Sequence, residues 1–438
     1  MESIRNLVKI VKEKIQHPGF QRYFKNTGWA FAGKVFALAM SFFVGAMVAR
    51  YLGPERYGVL NYVLSFVTIM AFLASFGIDN IIPRDIMKHP EEKEDIINTA
   101  FSLKLIGGLV VVILTSIFSI FVVKSDNYTN ILIFIYSLQM IFLSTSVVES
   151  YFVTQVKNRY IFIGQFISTI LVSTLKLFLI YTSMGTGWFI ASLLFEGLVY
   201  ALVLLLIFRK NGHVLKLKMR LNLAKEMLLD SWPFILNSAF AIIYTRIDQV
   251  MIGKMLTGHS LGIYAAGVKP SEVWYFIPGL ICTSIFPAIM NAKIADEKIY
   301  KDRVKKLLYF IIVLSAAVAL FEFIFAKSIV LFLFGVAYME AVNIVRIYTW
   351  AGVAVSALII IQQYLIIENK TVIIMVSSLV GAAANVILNM IWIPKYGIIG
   401  SAYATLLSYT IIPIVIWILL RFKNIRAKNI SAEISKNT

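Results

Sequence analysis

Fourteen charged side chains fall inside stretches that are otherwise apolar enough to cross a lipid bilayer. Nine are basic, Lys34, Arg50, Lys104, Lys176, Arg246, Lys254, Lys269, Lys327 and Arg346, and five are acidic, Glu149, Glu196, Asp248, Glu272 and Glu322. A charge at the bilayer centre costs at least ~2.5–3.5 kcal/mol on insertion scales, so charges kept there line a cavity, a pathway or one another. The excess of basic over acidic groups suits an anionic ligand, because a cleft with low-dielectric walls focuses field lines.

The densest cluster lies between residues 237 and 275. Asn237, Tyr244 and Asp248 are spaced i, i+7, i+11 and share one helical stripe, while Arg246 points elsewhere on the same helix. Lys269 and Glu272, three apart on the next helix, can pair. Trp274 and Tyr275 offer flat surfaces for sugar rings or an isoprenoid chain. Arg246 and Lys269 are the first candidates to hold an anionic group, with Lys34 at an inner entrance, Lys176, Arg346, Tyr244 and Trp274 beside them. Asp248, Glu272, Glu196 and Glu149 are candidates for sensing H⁺ or Na⁺. The alternative is that these charges form interhelical salt bridges that only hold a bundle together. Lys176 and Arg346 sit about 7–8 Å of helix rise inside the outer ends of their spans, where they line a cavity or reach back to the surface. Arg50, Lys254, Lys104 and Lys327 are expected to extend toward headgroups.

The elements that must position these groups are membrane helices. The chain has 438 residues, of which 59% are hydrophobic, and a mean hydropathy of +0.82. Spans of about 20 apolar residues are expected at 28–50, 58–78, 99–123, 130–152, 160–181, 186–208, 231–255, 262–289, 307–333, 341–365, 371–393 and 398–420. The expected architecture is an all-α polytopic membrane protein. Twelve transmembrane helices form two six-helix lobes, 28–208 and 231–420, around a central cavity. A basic linker, 209–230, joins the lobes. Residues 1–27 form an amphipathic cytoplasmic N-terminus, with Ile4, Leu7, Val11 and Ile15 on one face, and residues 421–438 a cytoplasmic tail.

With both termini inside, 29 of the 41 Lys and Arg residues fall in cytoplasmic segments and only Arg56, Lys124 and Lys395 in outer loops. That asymmetry satisfies the positive-inside rule. It also gives the net charge of +18 a membrane explanation in place of a nucleic-acid one. One cysteine, Cys282, builds neither a disulfide nor a metal site, and the four histidines lie outside the spans. No cleavable signal peptide is evident. No P-loop, HExxH or nucleophile elbow is present, no cofactor is implied, and loops of roughly four to seven residues leave an outer catalytic domain no room. A transporter is expected, not an enzyme. A membrane glycosyltransferase or polymerase would carry long outer loops, and a cation exporter would carry an acidic cavity.

The halves also resemble each other at an offset of 204. Met47-Val48-Ala49-Arg50 matches Met251-Ile252-Gly253-Lys254, Leu52 matches Leu256, Gly58 matches Gly262 and Val59 matches Ile263. An even number of spans per half relates such repeats by an axis along the membrane normal. Gly258 and Gly262, the one GxxxG spacing, fall in an outer turn and are not expected to pack helices.

The stretch Arg246-Ile247-Asp248-Gln249-Val250-Met251-Ile252-Gly253, followed by Leu261 through Pro278 (LGIYAAGVKPSEVWYFIP), resembles O-antigen and capsule repeat-unit flippases. These are the Wzx-type polysaccharide transporters of the multidrug/oligosaccharidyl-lipid/polysaccharide exporter superfamily. Ala49 through Gly58 (ARYLGPERYG) is similar to that family's first outer turn, and Pro270 is a small departure where Leu is expected. The resemblance implies a MATE-like fold of two lobes. It also implies translocation of an undecaprenyl-diphosphate-linked oligosaccharide from the inner to the outer leaflet of a bacterial cytoplasmic membrane by alternating access, coupled to H⁺ or Na⁺. A monomer is expected, with a polysaccharide polymerase as partner protein. The alternative within the superfamily is a MATE-type multidrug or cation antiporter.

Overall fold

The computed structural model describes residues 18–437 apart from 124 and 369. The expected interfacial helix at residues 4–15 lies outside the described residues. Among the described residues there is no strand. The long helices, in chain order, are α1 (Pro18–Ile69), α2 (Lys93–Ile117), α3 (Asn127–Thr154), α4 (Asn158–Tyr181), α5 (Thr186–Lys210), α6 (Leu221–Met255), α7 (Gly258–Val273), α8 (Phe276–Ala295), α9 (Glu297–Leu333), α10 (Ala341–Ile367) and α11 (Thr371–Asn437). Nine helices among the described residues are long and apolar enough to cross a membrane.

Two of the nine are longer than one crossing because each runs through a glycine with positive φ. Gly53 has φ 69° inside α1, and Gly397 has φ 60° inside α11. Both lie where the sequence places a turn between two spans, and glycine enters that region without a Cβ penalty. The expected span 262–289 is instead broken into α7, of 16 residues, and α8, of 20 residues. Pro278 accounts for the break. It has no N–H for the carbonyl of Trp274, four residues earlier, and its ring crowds that carbonyl.

By packing, the chain forms two compact units. One ends at Gly45 and resumes over Leu73–Phe234, and the other comprises Ala46–Phe72 and the chain from Ile235 onward. The course of the chain thus passes from unit to unit within α1 and within α6.

In the first unit, Ile82, Ile96, Phe152, Leu204, Phe208 and Met227 form a buried core. The segment before α6 is held down on this unit. Asn98 accepts from the Lys216 backbone N–H at 2.8 Å, and Asp95 takes Lys218 at 3.2 Å and Arg220 at 3.0 Å. Arg84 reaches Asp230 at 2.6 Å. The expected linker of 209–230 is therefore in part helix, since α5 runs to Lys210 and α6 starts at Leu221.

In the second unit, the C-terminal limb of α1 crosses α7 at glycines. A methyl group on Gly58 would overlap the Gly258 carbonyl, and one on Gly262 would overlap the Pro54 carbonyl. The expectation that Gly258 and Gly262 do not pack helices is overturned, because they open α7 and bring it against α1. The contact is reciprocal under the 204-residue offset, with residues 54 and 58 meeting 262 and 258, as an isologous two-fold contact requires. Beyond Gly397 the second limb of α11 folds back on the first, and Ser401 donates to Asn389 Oδ1 at 2.7 Å.

Candidate functional site

α6 carries Arg246 and Asp248 two residues apart, so the two side chains leave on different sides of the helix. Arg246 meets Glu272 of α7, Nη1 to Oε1, at 3.3 Å, with the Arg246 side chain one-third exposed at 33%. Glu272 thus takes a cation from the neighbouring helix. Lys269 stands one turn before it on α7.

Asp248 turns the other way and is 1% exposed. Its Oδ2 accepts from the Tyr264 hydroxyl at 2.6 Å and the Thr405 hydroxyl at 3.4 Å. Its Oδ1 accepts the Gln249 backbone N–H at 2.7 Å. No ion pair among the described residues includes it. Buried polar side chains continue behind it, with Asn385 donating to Ser408 at 3.0 Å and Asn389 donating to Asn385 Oδ1 at 3.0 Å. Gln249 also accepts from Ser65 of α1 at 2.8 Å. Hydroxyl and backbone groups thus converge on one buried carboxyl. Asn385 and Asn389, one turn apart in an apolar span, mark polar lining or interhelical hydrogen bonds in the sequence, whereas Ser401 and Thr405 carry no such mark.

The stripe Asn237–Tyr244–Asp248 faces α11. Ser378 donates to Asn237 at 3.2 Å, and Tyr244 packs edge-on against Tyr409 with ring centroids 5.5 Å apart. Tyr244 and Trp274 are only 8% and 7% exposed. Trp274 lies against Tyr275 and Gly352. Both aromatics sit in the packing of the unit, not on an open surface.

Arg346 is exposed on α10, and its neighbours on the helix show which way it faces. Tyr348 packs against Tyr264 of α7, and Ile344 against Gly267. Asn343, Arg346 and Trp350 occupy the opposite, exposed face. The structure therefore does not bring Arg346 to Arg246. Arg50 does not simply extend toward headgroups, because it donates to the Leu331 carbonyl at the end of α9, at 3.1 Å. Glu322 is buried and accepts from Ser271 at 2.7 Å.

The first unit has its own charged pairs. Lys176 of α4 meets Glu196 of α5 at 3.6 Å. Lys104, expected to reach for the surface, is 1% exposed and bonds Asp79 and Ser146 inside the unit. Asp79 reaches it because the chain reverses at Phe76 (φ 47°) and Gly77 (φ 63°). Glu149 lies beside Tyr200 and near Lys104. Lys34 is exposed on α1. Lys104, Lys176 and Arg246 are thus each met by an acid, and of these acids only Asp79 lies outside the spans.

Residues 23–293, well over half of the chain, match the family described as Polysaccharide biosynthesis protein. The chain belongs to this family. Among its relatives is the probable low-salt glycan biosynthesis flippase Agl15 of Haloferax volcanii, 22% identical over 87% of this chain and 80% of that protein. Lipid II flippase MurJ in an inward closed conformation shares the fold with a TM-score of 0.69, at 18% identity, covering 91% of this chain and 87% of that one. An inward-facing multidrug resistance MATE family transporter of the MOP superfamily gives a TM-score of 0.68 at 12% identity, covering 90% and 96%. The polysaccharide biosynthesis family member described here thus has a fold shared by flippases and exporters, as the motifs at 246–278 and 49–58 imply.

Proposed function

We propose that this polysaccharide biosynthesis family member flips a lipid-linked oligosaccharide, carried on undecaprenyl diphosphate, from the inner to the outer leaflet of the cytoplasmic membrane. Each glycine break marks a turn between two crossings and α7–α8 form one broken crossing, so the chain crosses twelve times in two lobes with both termini cytoplasmic. One lobe rocks against the other around the substrate. The observation that carries this reading is Arg246, a partly open cation on the most specific segment of the chain, held in orientation by Glu272. A guanidinium presents planar paired donors to phosphate oxygens. Lys269 adds charge one turn away, and Lys34 and Lys176 attend the diphosphate elsewhere on its path.

Asp248 and the hydroxyls and amides around it are the seat of ion coupling in this proposal. One buried carboxyl among neutral oxygens suits a proton or a hard monovalent cation, which takes oxygen ligands. Glu272, Glu196 and Glu149 serve as counter-charges to basic groups and assist when those groups engage substrate. Complementation of a strain lacking its own flippase tests the proposal. Arg246→Ala and Lys269→Ala are expected to abolish surface polysaccharide with membrane abundance unchanged, and full activity in both would remove these residues from the mechanism.

A further inference from the structure

The exposed face of α10 forms one wall of a cleft of about 410 Å³ that α9 and the second limb of α11 complete. Arg346 stands in it with Asn343 and Trp350 from α10, Phe323 from α9, and Tyr403 from α11. The guanidinium lies 5.8 Å from the Phe323 ring centroid, and that ring packs against Trp350 at 6.3 Å. The Phe323 ring thus lies within cation–π reach of the guanidinium, and Trp350 supports that ring. Glu322 precedes Phe323 but turns inward to Ser271 at 2.7 Å, and no acidic residue is among the described lining of the cleft. Arg346 lies five residues after Ala341, where α10 begins, about 7–8 Å of helix rise into the bilayer. An arginine at that depth reaches back toward the surface or is offset by an anion beside it.

We propose that this cleft binds the phosphodiester of an anionic phospholipid in the leaflet on the side of the Phe334–Glu340 turn, with phosphatidylglycerol the fitting headgroup. Three features of the cleft select this occupant. Its one cation matches the single charge of a phosphodiester, whereas a diphosphate would call for more than one. With no carboxylate in the wall, the ammonium of phosphatidylethanolamine finds no counter-charge. Asn343 and the Tyr403 hydroxyl supply hydrogen bonds for a glycerol headgroup, and Leu406 and the exposed ring of Tyr403 offer apolar surface along which an acyl chain can lie. The site requires only that the chain span a membrane and is independent of the transport reading.

Native mass spectrometry of the full chain released from nanodiscs holding equal phosphatidylglycerol and phosphatidylethanolamine reads the site directly. Wild type is expected to retain phosphatidylglycerol preferentially. Arg346→Gln is expected to lose about fivefold in that retention, the contribution of one basic group near the membrane surface. Arg346→Lys should keep part of it, and Lys395→Gln, a cation outside the cleft, should change nothing. In a parallel measurement, brominated phosphatidylglycerol should quench wild-type fluorescence more than brominated phosphatidylethanolamine, and Trp350→Phe should remove the difference. Equal retention and equal quenching by the two lipids in wild type, or undiminished retention in Arg346→Gln, would overturn the proposal. Preferential retention of a polyprenyl diphosphate would overturn it as well.

Discussion

Arg246 and Glu272 are a pair that a merely structural role would also produce, and the two roles separate by experiment. Reversing the charge of one partner sets two like charges side by side, which truncation to Ala does not. The double swap Arg246→Glu with Glu272→Arg restores the pair while moving the guanidinium to the other helix. We expect each single swap to lower membrane abundance and the double swap to recover it, with surface polysaccharide still absent. Recovery of both would make the pair structural. Outside the spans, Glu368 follows α10 and faces Lys293 at 2.9 Å and Lys370 at 3.7 Å. Burial pushes its carboxyl up, but the hydrogen bond and charge of Lys293, with the charge of Lys370, more than offset this and hold it below its ordinary 4.5. A lowered carboxylate contributes stability that is present above its unfolded value and lost as pH falls through the folded one. Thermal unfolding between pH 3 and about 6 should therefore show wild type losing stability below about 4.5. Glu368→Gln should flatten that loss, and identical pH profiles would remove the ion pair from the account. The charged residues of the site were legible in the sequence because a charge in an apolar span announces itself. Their partners were not. Asp79 reaches Lys104 only after a reversal at Phe76 and Gly77, and Arg246 finds Glu272 across two helices, so neither pairing leaves a mark at i+3 or i+4.

At the scale of the elements, glycine spacing decides how closely α1 and α7 approach. Gly262→Ala places a methyl group into the Pro54 carbonyl, and Gly58→Ala into that of Gly258. Overpacking of this kind costs about 1–3 kcal/mol. We expect both variants to lower detergent-solubilised melting temperature and membrane abundance, whereas Gly45→Ala, with nothing within 4 Å of the added methyl, should leave both unchanged. Equal stability of all three would show that the close crossing is not maintained in the membrane. The long spans are legible from hydropathy alone, and the breaks at Gly53 and Gly397 fall in the gaps between expected spans. The break between α7 and α8 was not read. Hydropathy runs on through Pro278, and only the hydrogen bond it withholds from the carbonyl four residues back makes it a stop. The glycine crossing was misread because a GxxxG spacing was assigned to a turn, and its partner lies about 200 residues away in sequence.

For the whole molecule, the chain belongs to the polysaccharide biosynthesis family and shares the fold of MurJ, while the proposed cargo and coupling rest on the charged residues. The central claim is that an anionic lipid-linked glycan crosses by engaging Arg246, driven through the carboxyl of Asp248. Reconstitution into proteoliposomes with fluorescently labelled undecaprenyl-diphosphate oligosaccharide on one leaflet tests it most directly, with protection from a membrane-impermeant quencher reporting transfer. Transfer is predicted for wild type and for neither Arg246→Ala nor Asp248→Asn, accelerated by an imposed H⁺ or Na⁺ gradient only when Asp248 is present. Transfer by Arg246→Ala at the wild-type rate, or none by wild type under any gradient, would contradict the account.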